Sequence, residues 1–193
     1  MAYEYTAAEA AARRAQNVLG ALACLAGGAQ LHSRANLEAL GGRIDSETLA
    51  EDTVTTLATQ LDGRRAVFEP HAVAWAEEPG TITGLWGQRL RWARGNVQVT
   101  RRFRHLWFHR SVGPLGGVSF GLIWFSTLLL PLFMILSSVA LVALHVVDPE
   151  RSQDVFRSLW IISGLSYLFL TLSNLFLDPA MAQRSWRQAF LFR

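Results

Sequence analysis

The sequence predicts an α/β cytoplasmic part followed by two transmembrane α-helices. Three observations lead to this fold class. Before residue 110, segments with helix caps alternate with short apolar runs. Between Arg110 and Asp148 there is no Asp, Glu, Lys or Arg, a stretch of 37 residues. Only 17% of the chain is charged and 51% is hydrophobic, a balance typical of membrane proteins rather than soluble domains.

Four segments before residue 110 carry helix signals. Ser33 and Thr81 are predicted N-caps, because short hydroxyl side chains accept the unpaired N–H groups of a first helical turn. Glycines close three of the segments, since glycine readily adopts the left-handed conformation that ends a helix. Acids crowd the start of the third segment, where the helix dipole favours negative charge. The predicted helices are 3–19, 34–40, 45–63 and 81–106.

Three apolar segments between these helices are interpreted as strands. Residues 21–31 are apolar and broken by glycines, which favours a buried strand and turn. Residues 65–70 and 72–78 contain Val, Phe and Trp, which favour extended structure. Pro70 and Pro79 end these two short segments. We therefore expect helices and strands to alternate, as in an α/β domain.

The uncharged stretch predicts a first membrane crossing. It exceeds the roughly 20 apolar residues that one membrane helix needs, but it is too short for two crossings with a turn. Pro114 and the glycines that follow it break its beginning. We interpret 111–119 as an approach along the membrane interface and 121–146 as the crossing itself. A kink is expected at Pro131, because proline cannot donate a helical hydrogen bond.

A second crossing is predicted at 158–177, and the arginines indicate its orientation. The loop between the crossings carries three acids and one arginine, whereas the outer flanks are basic. The flanking arginines are Arg101, Arg102, Arg104, Arg110, Arg184, Arg187 and Arg193. Because basic residues concentrate on the cytoplasmic side, domain 1–110 and the C-terminal tail are expected in the cytoplasm. Residues 111–193 then form the membrane domain, in the inner (plasma) membrane.

Composition narrows the classes of partner. All 18 basic residues are arginine and the net charge is only +3, which does not by itself predict binding to nucleic acid. Cys24 is the single cysteine, so no intrachain disulfide or cysteine-based metal site is possible. The N-terminus opens with acids and alanines, unlike a secretory signal. The lipid bilayer is therefore an expected partner, and nucleic acid is not.

The stretch GLWGQRLRWARGN (84–96) has a distinctive polar face. Gln88, Arg91 and Trp92 are spaced i, i+3 and i+4, so they share one side of the predicted helix. A guanidinium binds diphosphate oxygens in a fork, an amide bonds to hydroxyls, and an indole offers a flat apolar plate to a sugar ring. A basic, tryptophan-bearing helix before a membrane crossing is also typical of an interfacial anchor. For this helix alone, the anchor is the favoured interpretation.

An acidic pair, Glu51 and Asp52, lies near the start of another predicted helix. Carboxylates at such a position commonly complement the helix dipole. They also suit general-base catalysis, since a carboxylate can take the proton from a sugar hydroxyl as its oxygen attacks an anomeric carbon. Taken alone, the pair favours the capping role.

Together the two motifs resemble the second half of the catalytic domain of processive membrane glycosyltransferases of family 2. That family includes synthases of cellulose, chitin, hyaluronan and poly-N-acetylglucosamine. The matching letters are AED at 50–52 and QRLRW at 88–92, and the glycine-containing lead-in 22–45 is also similar. The resemblance covers roughly residues 15–110. It implies the C-terminal half of a GT-A type fold and inverting transfer of a sugar from a UDP-sugar to a growing β-linked glycan.

The resemblance also implies roles for single residues. Asp52 would be the catalytic base, with Glu51 binding substrate beside it. Gln88, Arg91 and Trp92 would line the place where the acceptor sugar and the nucleotide diphosphate meet. The full-length family uses Mg²⁺ or Mn²⁺, but the Asp-x-Asp motif that holds this ion occurs nowhere in these 193 residues. No metal ligand is therefore assigned.

Three hypotheses follow from the sequence. The first is the acceptor-side half of a membrane β-glycosyltransferase, a fragment whose nucleotide- and metal-binding half is missing and which is inactive alone. The second is a non-catalytic membrane remnant or a partner subunit. The third is a membrane-anchored domain whose basic helix binds anionic lipid. The joint motif favours the first two over the third, and a poly-N-acetylglucosamine-like polymer is the expected product.

Overall fold

A computed structural model of the protein describes residues 12–72, 74 and 76–177, with side chains as far as residue 173. The described residues belong to two compact units. One is Ala15–Leu130, and the other contains the described residues from Pro131 onward.

Helices make up the regular structure of the described residues. The α-helices are α1 (Arg14–Leu19), α2 (Arg34–Ala39), α3 (Glu51–Leu61), α4 (Ile82–Arg102), α5 (Phe120–Trp124), α6 (Leu130–Val147) and α7 (Pro149–Leu177). Short 3-10 turns occupy Arg104–Leu106 and Arg110–Val112. Wider π-helical turns at Leu115–Ser119 and Phe125–Leu129 flank α5.

Both predicted N-caps are confirmed. The Ser33 hydroxyl accepts the backbone N–H of Asn36 at 3.1 Å, and the Thr81 hydroxyl accepts that of Gly84 at 3.1 Å. Each bond satisfies a donor that the first helical turn leaves unpaired. Gly63, just after α3, has a φ of +78°, the left-handed conformation that ends a helix. These helix ends were therefore predictable from single residues.

Helix α3 starts later than predicted. It begins at Glu51, so the expected range 45–63 is wrong for its first six residues. The Asp45 carboxylate accepts the N–H of Glu47 at 2.8 Å and pairs with Arg102 at 2.6 Å. A side chain bonded to nearby backbone gives the chain an alternative to the helix. This loop therefore leads into α3 rather than forming part of it.

The other long helices also differ at their ends. α4 stops at Arg102 rather than at about residue 106. The chain turns there, and Phe103 packs against Phe120 with ring centroids 5.5 Å apart. Of the predicted helix 3–19, residues up to 11 lie outside the described part of the chain, and α1 begins at Arg14.

The predicted strands are not found in the described residues of 21–31, 65–70 and 72–78, which form loops and turns. A strand needs a neighbour that pairs with its backbone, and a helix side chain takes that place at Leu22. The Gln60 amide accepts the Leu22 N–H at 2.9 Å and donates to the Leu22 carbonyl at 2.8 Å. The α/β class is therefore not confirmed: the described residues contain helices and no strand.

The core of the first unit lies between α3, α4 and the beginning of the apolar stretch. Its buried apolar side chains are Ala50, Val54, Leu57, Val99, Phe103, Leu115 and Phe120. The buried Ser119 hydroxyl donates to the backbone carbonyl of Ala21. Burying one large apolar side chain contributes about 1.5–3 kcal/mol. The start of the apolar stretch is therefore packed against the two helices that carry the sequence motifs.

Two helical stretches are long and apolar enough to cross a membrane, Leu115–Val147 and Pro149–Ser173. The predicted crossings at 121–146 and 158–177 overlap them, although both observed stretches begin earlier. Along most of their length the apolar side chains are exposed. Such a surface needs an apolar environment, because exposed patches of this size are unusual on soluble proteins.

The loop expected between the crossings is almost absent. Asp148 alone separates α6 from α7, and its carboxylate accepts the N–H of Arg151 at 3.0 Å. Pro149 fits the first position of α7, since the N–H that it lacks has no partner there. The kink at Pro131 and the division into domains at residues 110 and 111 stay predictions.

Candidate functional site

The carboxylate of Asp52 is held from two sides in the first turn of α3. Its Oδ1 accepts the backbone N–H of Thr53 at 2.7 Å. Its Oδ2 accepts the backbone N–H of Gly27 at 3.1 Å, from a loop 25 residues earlier in the chain. Both Asp52 and Glu51 are half-buried. The carboxylate is thus oriented by the backbone while its side chain remains partly accessible.

Gly27 is a site residue that the sequence analysis missed. A Cβ built at Gly27 would lie 3.0 Å from Asp52 Oδ2 and 3.3 Å from Asp52 Cβ, closer than the usual contact of two side chains. The adjacent Gly28 has nothing within 4 Å of the same position. The pair of glycines was visible in the sequence, but only the fold shows which one faces the carboxylate.

Helix α4 makes a close contact with the residues just before α3, at a point beyond the Gln88–Trp92 motif. A Cβ at Gly95 would lie 2.8 Å from the Cβ of Ala50 and 3.0 Å from the backbone carbonyl of Leu49. The Gln98 side chain, three residues further along α4, accepts the Leu49 N–H at 2.8 Å. Only a glycine lets the backbone of α4 approach this closely. The contact lies directly beside the turn that carries Asp52.

The predicted face of α4 continues from this contact. Gln88, Trp92, Gly95 and Val99 follow one another at helical spacing, so they lie along one stripe. Val99 is fully buried and Gly95 is buried, whereas Gln88 and Trp92 are half-buried. At a rise of about 1.5 Å per residue, Trp92 is about 5 Å and Gln88 about 10 Å along the helix from Gly95. Arg91 lies at the edge of the stripe and is exposed.

Only one of the two polar atoms of the Gln88 amide has a hydrogen-bond partner among the described residues. Its Nε2 donates to Glu78 Oε2 at 3.3 Å. Its Oε1 is buried and has no hydrogen-bond partner among the described residues. A buried acceptor without a partner costs about 1–3 kcal/mol, so a donor supplied by a ligand would be stabilised here. Glu78 is half-buried, and its carboxylate fixes the orientation of this amide.

Arg89 lies over the indole of Trp92, a residue of the predicted face. Its guanidinium carbon lies 4.6 Å from the centre of the Trp92 ring. Arg89 and Trp92 are three residues apart on a helix, a spacing that brings side chains together. A cation over an indole is worth roughly 0.5–2 kcal/mol. Arg89 therefore helps to fix the plane of the indole.

An ion pair secures the loop between α2 and α3. Arg102 contacts Asp45 at 2.6 Å and Glu47 at 3.6 Å. The backbone N–H of Glu47, and then the Arg102 guanidinium, lower the pKa of the Asp45 carboxyl below its ordinary value. Since Arg102 ends α4, this pair is a second link between α4 and the chain that enters α3.

The described residues do not fit a divalent metal ion. They contain no group of three or more His, Cys, Asp or Glu side chains placed to hold one. The acidic pair supplies only two carboxylates, and both oxygens of Asp52 already accept protein N–H groups. Hard divalent ions prefer more oxygen ligands than this pair offers. The metal expected from the resemblance has no ligand set in this part of the chain.

A cavity of about 440 Å³ lies at the opposite end of α3 from Asp52. Its lining includes Gln60, Gly63, Arg65, Ser111 and Pro114. None of the residues predicted from the motifs lines it. The motif residues therefore lie outside this cavity.

Comparison with known proteins agrees with the resemblance to family 2 glycosyltransferases. The family model of glycosyl transferase family group 2 matches residues 2–177. The probable glycosyltransferase YdaM of Bacillus subtilis (strain 168) is 44% identical over 70 residues, which cover 36% of this chain and 16% of that protein. The poly-beta-1,6-N-acetyl-D-glucosamine synthases of Staphylococcus aureus (strain COL) and Staphylococcus epidermidis (strain RP62A) are each 32% identical over 99 residues.

Those 99 residues cover 51% of this chain and 24% of each synthase. The chain therefore spans about a quarter or less of the length of the curated relatives named above. No solved structure matches the chain.

Proposed function

Because this chain belongs to glycosyl transferase family group 2, we propose that it forms the acceptor side of a membrane glycosyltransferase. The reaction is inverting transfer of a sugar from a UDP-sugar to a growing β-linked glycan of the poly-N-acetylglucosamine type. The observation that carries the proposal is the α3–α4 contact at Gly95 and Ala50. It links the helix with Gln88, Arg91 and Trp92 to the turn with Asp52.

Asp52 acts as the general base. Its carboxylate takes the proton of an acceptor hydroxyl while that oxygen forms a bond to the anomeric carbon of the donor sugar. The bond from the anomeric carbon to the diphosphate breaks on the opposite face, so the configuration inverts and UDP leaves with the electron pair. The N–H of Gly27 on Oδ2 supports this role, because an oriented carboxylate loses less freedom in the reaction.

The α4 face binds the two sugars and the diphosphate. The Gln88 amide bonds to a sugar hydroxyl, which satisfies the missing hydrogen bond of Oε1 and requires this buried oxygen to become accessible when substrate binds. The indole of Trp92 provides an apolar plate for the acceptor ring, and the exposed guanidinium of Arg91 pairs with diphosphate oxygens. Glu51 binds substrate hydroxyls beside the base.

The donor nucleotide and Mg²⁺ or Mn²⁺ are bound by residues outside these 193, in a further half of a GT-A type domain or in a partner subunit. The metal would neutralise the diphosphate. Two considerations support this part of the proposal. The chain has no Asp-x-Asp motif, and it spans only 16–24% of the relatives compared above. Residues 1–110 and the C-terminal tail face the cytoplasm, where nucleotide sugars are available.

The test is incorporation of labelled sugar from UDP-N-acetylglucosamine and UDP-glucose by membranes of cells that express the chain, alone and in frame with its upstream coding sequence. We expect polymer only from the longer protein. In that protein, Asp52→Asn should lower the rate about 10²- to 10⁴-fold, the usual contribution of a general base. Asp62→Asn is the matched control, because Asp62 lies at the other end of the same helix.

A second pair of variants tests the α4 face. Trp92→Ala should abolish polymer formation, whereas Trp86→Ala should not, since Trp86 is 70% exposed on the same helix. Full activity of Asp52→Asn would remove the assignment of the base. Polymer formation by the 193 residues alone would refute the need for a separate nucleotide-binding half.

A further inference from the structure

A shallow basic groove follows the end of α4, away from the motif residues. It has a volume of about 590 Å³ and is lined by Gln98, Arg101, Arg102, Arg104 and His105. Three guanidinium groups thus converge within eight residues of sequence. No residue assigned to sugar transfer contributes to this groove.

The charge of the groove is only partly neutralised. Arg102 is paired with Asp45 and Glu47. Arg101 and Arg104 are exposed, and neither forms an ion pair with any carboxylate in the described part of the chain. Two guanidinium forks therefore present their donors to the surroundings of the groove. Guanidinium groups bind phosphate oxygens through paired N–H···O bonds.

An aromatic cluster directly follows the groove in the sequence. Trp107 and Phe108 both pack edge-on against Trp124, with ring centroids 6.1 and 5.7 Å away. Tryptophan and tyrosine belts mark the level at which lipid headgroups meet the hydrocarbon. Phe108 is exposed, as expected for a side chain that enters lipid.

The length of the apolar stretch agrees with a groove at the level of the lipid headgroups. The 33 residues Leu115–Val147 would extend about 50 Å as a helix, whereas the hydrocarbon layer is about 30 Å thick. The excess lies at the start, where Ser119 and Phe120 are buried in the protein. If the hydrocarbon begins near Trp124, the groove, which precedes Trp107 in sequence, is at the level of the headgroups.

We propose that Arg101 and Arg104 form a binding site for the phosphate of an anionic phospholipid headgroup. The same chemistry would recognise a soluble phosphate, but the aromatic cluster places the groove where lipid phosphates are concentrated. The site is separate from sugar transfer and does not depend on the proposed function. Its lipid would hold the end of α4 at the membrane surface.

The experiment measures lipid binding by the purified 193-residue chain in nanodiscs of phosphatidylcholine containing phosphatidylglycerol. Bound phosphatidylglycerol is counted by native mass spectrometry. Arg101→Gln with Arg104→Gln should lower the preference for phosphatidylglycerol about 30-fold, as expected when two arginines are lost from a membrane surface. The double Arg→Lys variant should retain part of the preference, since charge remains but the fork is lost.

The matched control is Arg43→Gln with Arg94→Gln, which removes the same charge from two other exposed arginines. An equal loss in this control would show that only net charge matters and would overturn the site. A second arm adds millimolar pyrophosphate to the wild-type chain. Displacement of the lipid by pyrophosphate would assign the groove to soluble phosphates and refute the lipid. Thermal unfolding of each variant separates loss of binding from loss of fold.

Discussion

The contact at Gly95 permits a quantitative test of how α4 meets α3. Replacing Gly95 with alanine places a Cβ 2.8 Å from the Ala50 Cβ and 3.0 Å from the Leu49 backbone. Forcing an extra methyl group into such a contact costs about 1–3 kcal/mol. In a helix interior, however, alanine is favoured over glycine by about 0.8–1.0 kcal/mol. The net effect should be a loss of about 0–2 kcal/mol.

Gly87 provides the control on the same helix. A Cβ there meets nothing within 4 Å, so Gly87→Ala should gain the helix preference without strain and stabilise by about 1 kcal/mol. The difference between the two variants isolates the strain. In a chain of this size 1 kcal/mol shifts Tm by about 2–4 °C, so the two Tm values should differ by about 2–12 °C.

The assay is thermal unfolding of the purified chain in detergent, followed by tryptophan fluorescence. Wild type should lie below Gly87→Ala and at or above Gly95→Ala. If Gly95→Ala instead raises Tm as much as Gly87→Ala does, the two helices do not touch at Gly95. The link between the motifs, on which the proposed site depends, would then be lost.

Two further predictions concern the loops before α3. Gly27→Ala should displace the Asp52 carboxylate by crowding Oδ2 and so lower sugar transfer by the longer protein. Gly28→Ala is the control, because the space at its Cβ is open, and it should leave transfer unchanged. Equal rates of transfer in the two variants would contradict the contact between Gly27 and Asp52. The backbone N–H of Glu47, and then Arg102, lower the pKa of Asp45 in the folded state. These two contacts of the carboxylate therefore stabilise the chain above about pH 4, near the ordinary carboxyl pKa. The stabilisation is lost as the pH falls through the lower, folded-state pKa. Urea unfolding between pH 2 and 6 should therefore show a smaller acid-induced loss in Asp45→Asn than in wild type.

Features that depend on one residue and its immediate neighbours were predictable from the sequence. Ser33 and Thr81 cap helices as expected, because capping is a bond to the residue two or three positions ahead. The two crossings were predictable for a similar reason. The length of a span follows directly from the run of uncharged residues, and both predicted crossings overlap the apolar stretches.

Features that depend on distant partners were not predictable. The backbone of Leu22 is satisfied by Gln60, 38 residues away, so a segment with strand-like composition forms no strand in the described residues. Asp45 was placed inside a helix because its pairing with Arg102 cannot be read from local sequence. Gly27 shows the same limit, because its contact with Asp52 depends on where a loop folds.

The catalytic interpretation of the motif on α4 depends on a glycine outside the motif. The spacing of Gln88, Arg91 and Trp92 fixes only that they share a face, and an interfacial anchor would have the same pattern. Gly95 continues that face by one turn and brings it against the residue before Glu51 and Asp52. An anchor helix needs no close approach to an acidic turn, whereas a transferase needs a base beside its acceptor. The contact at Gly95 therefore favours a catalytic role for Gln88, Arg91 and Trp92, and the arginines beyond Gln98 are the better candidates for contact with lipid.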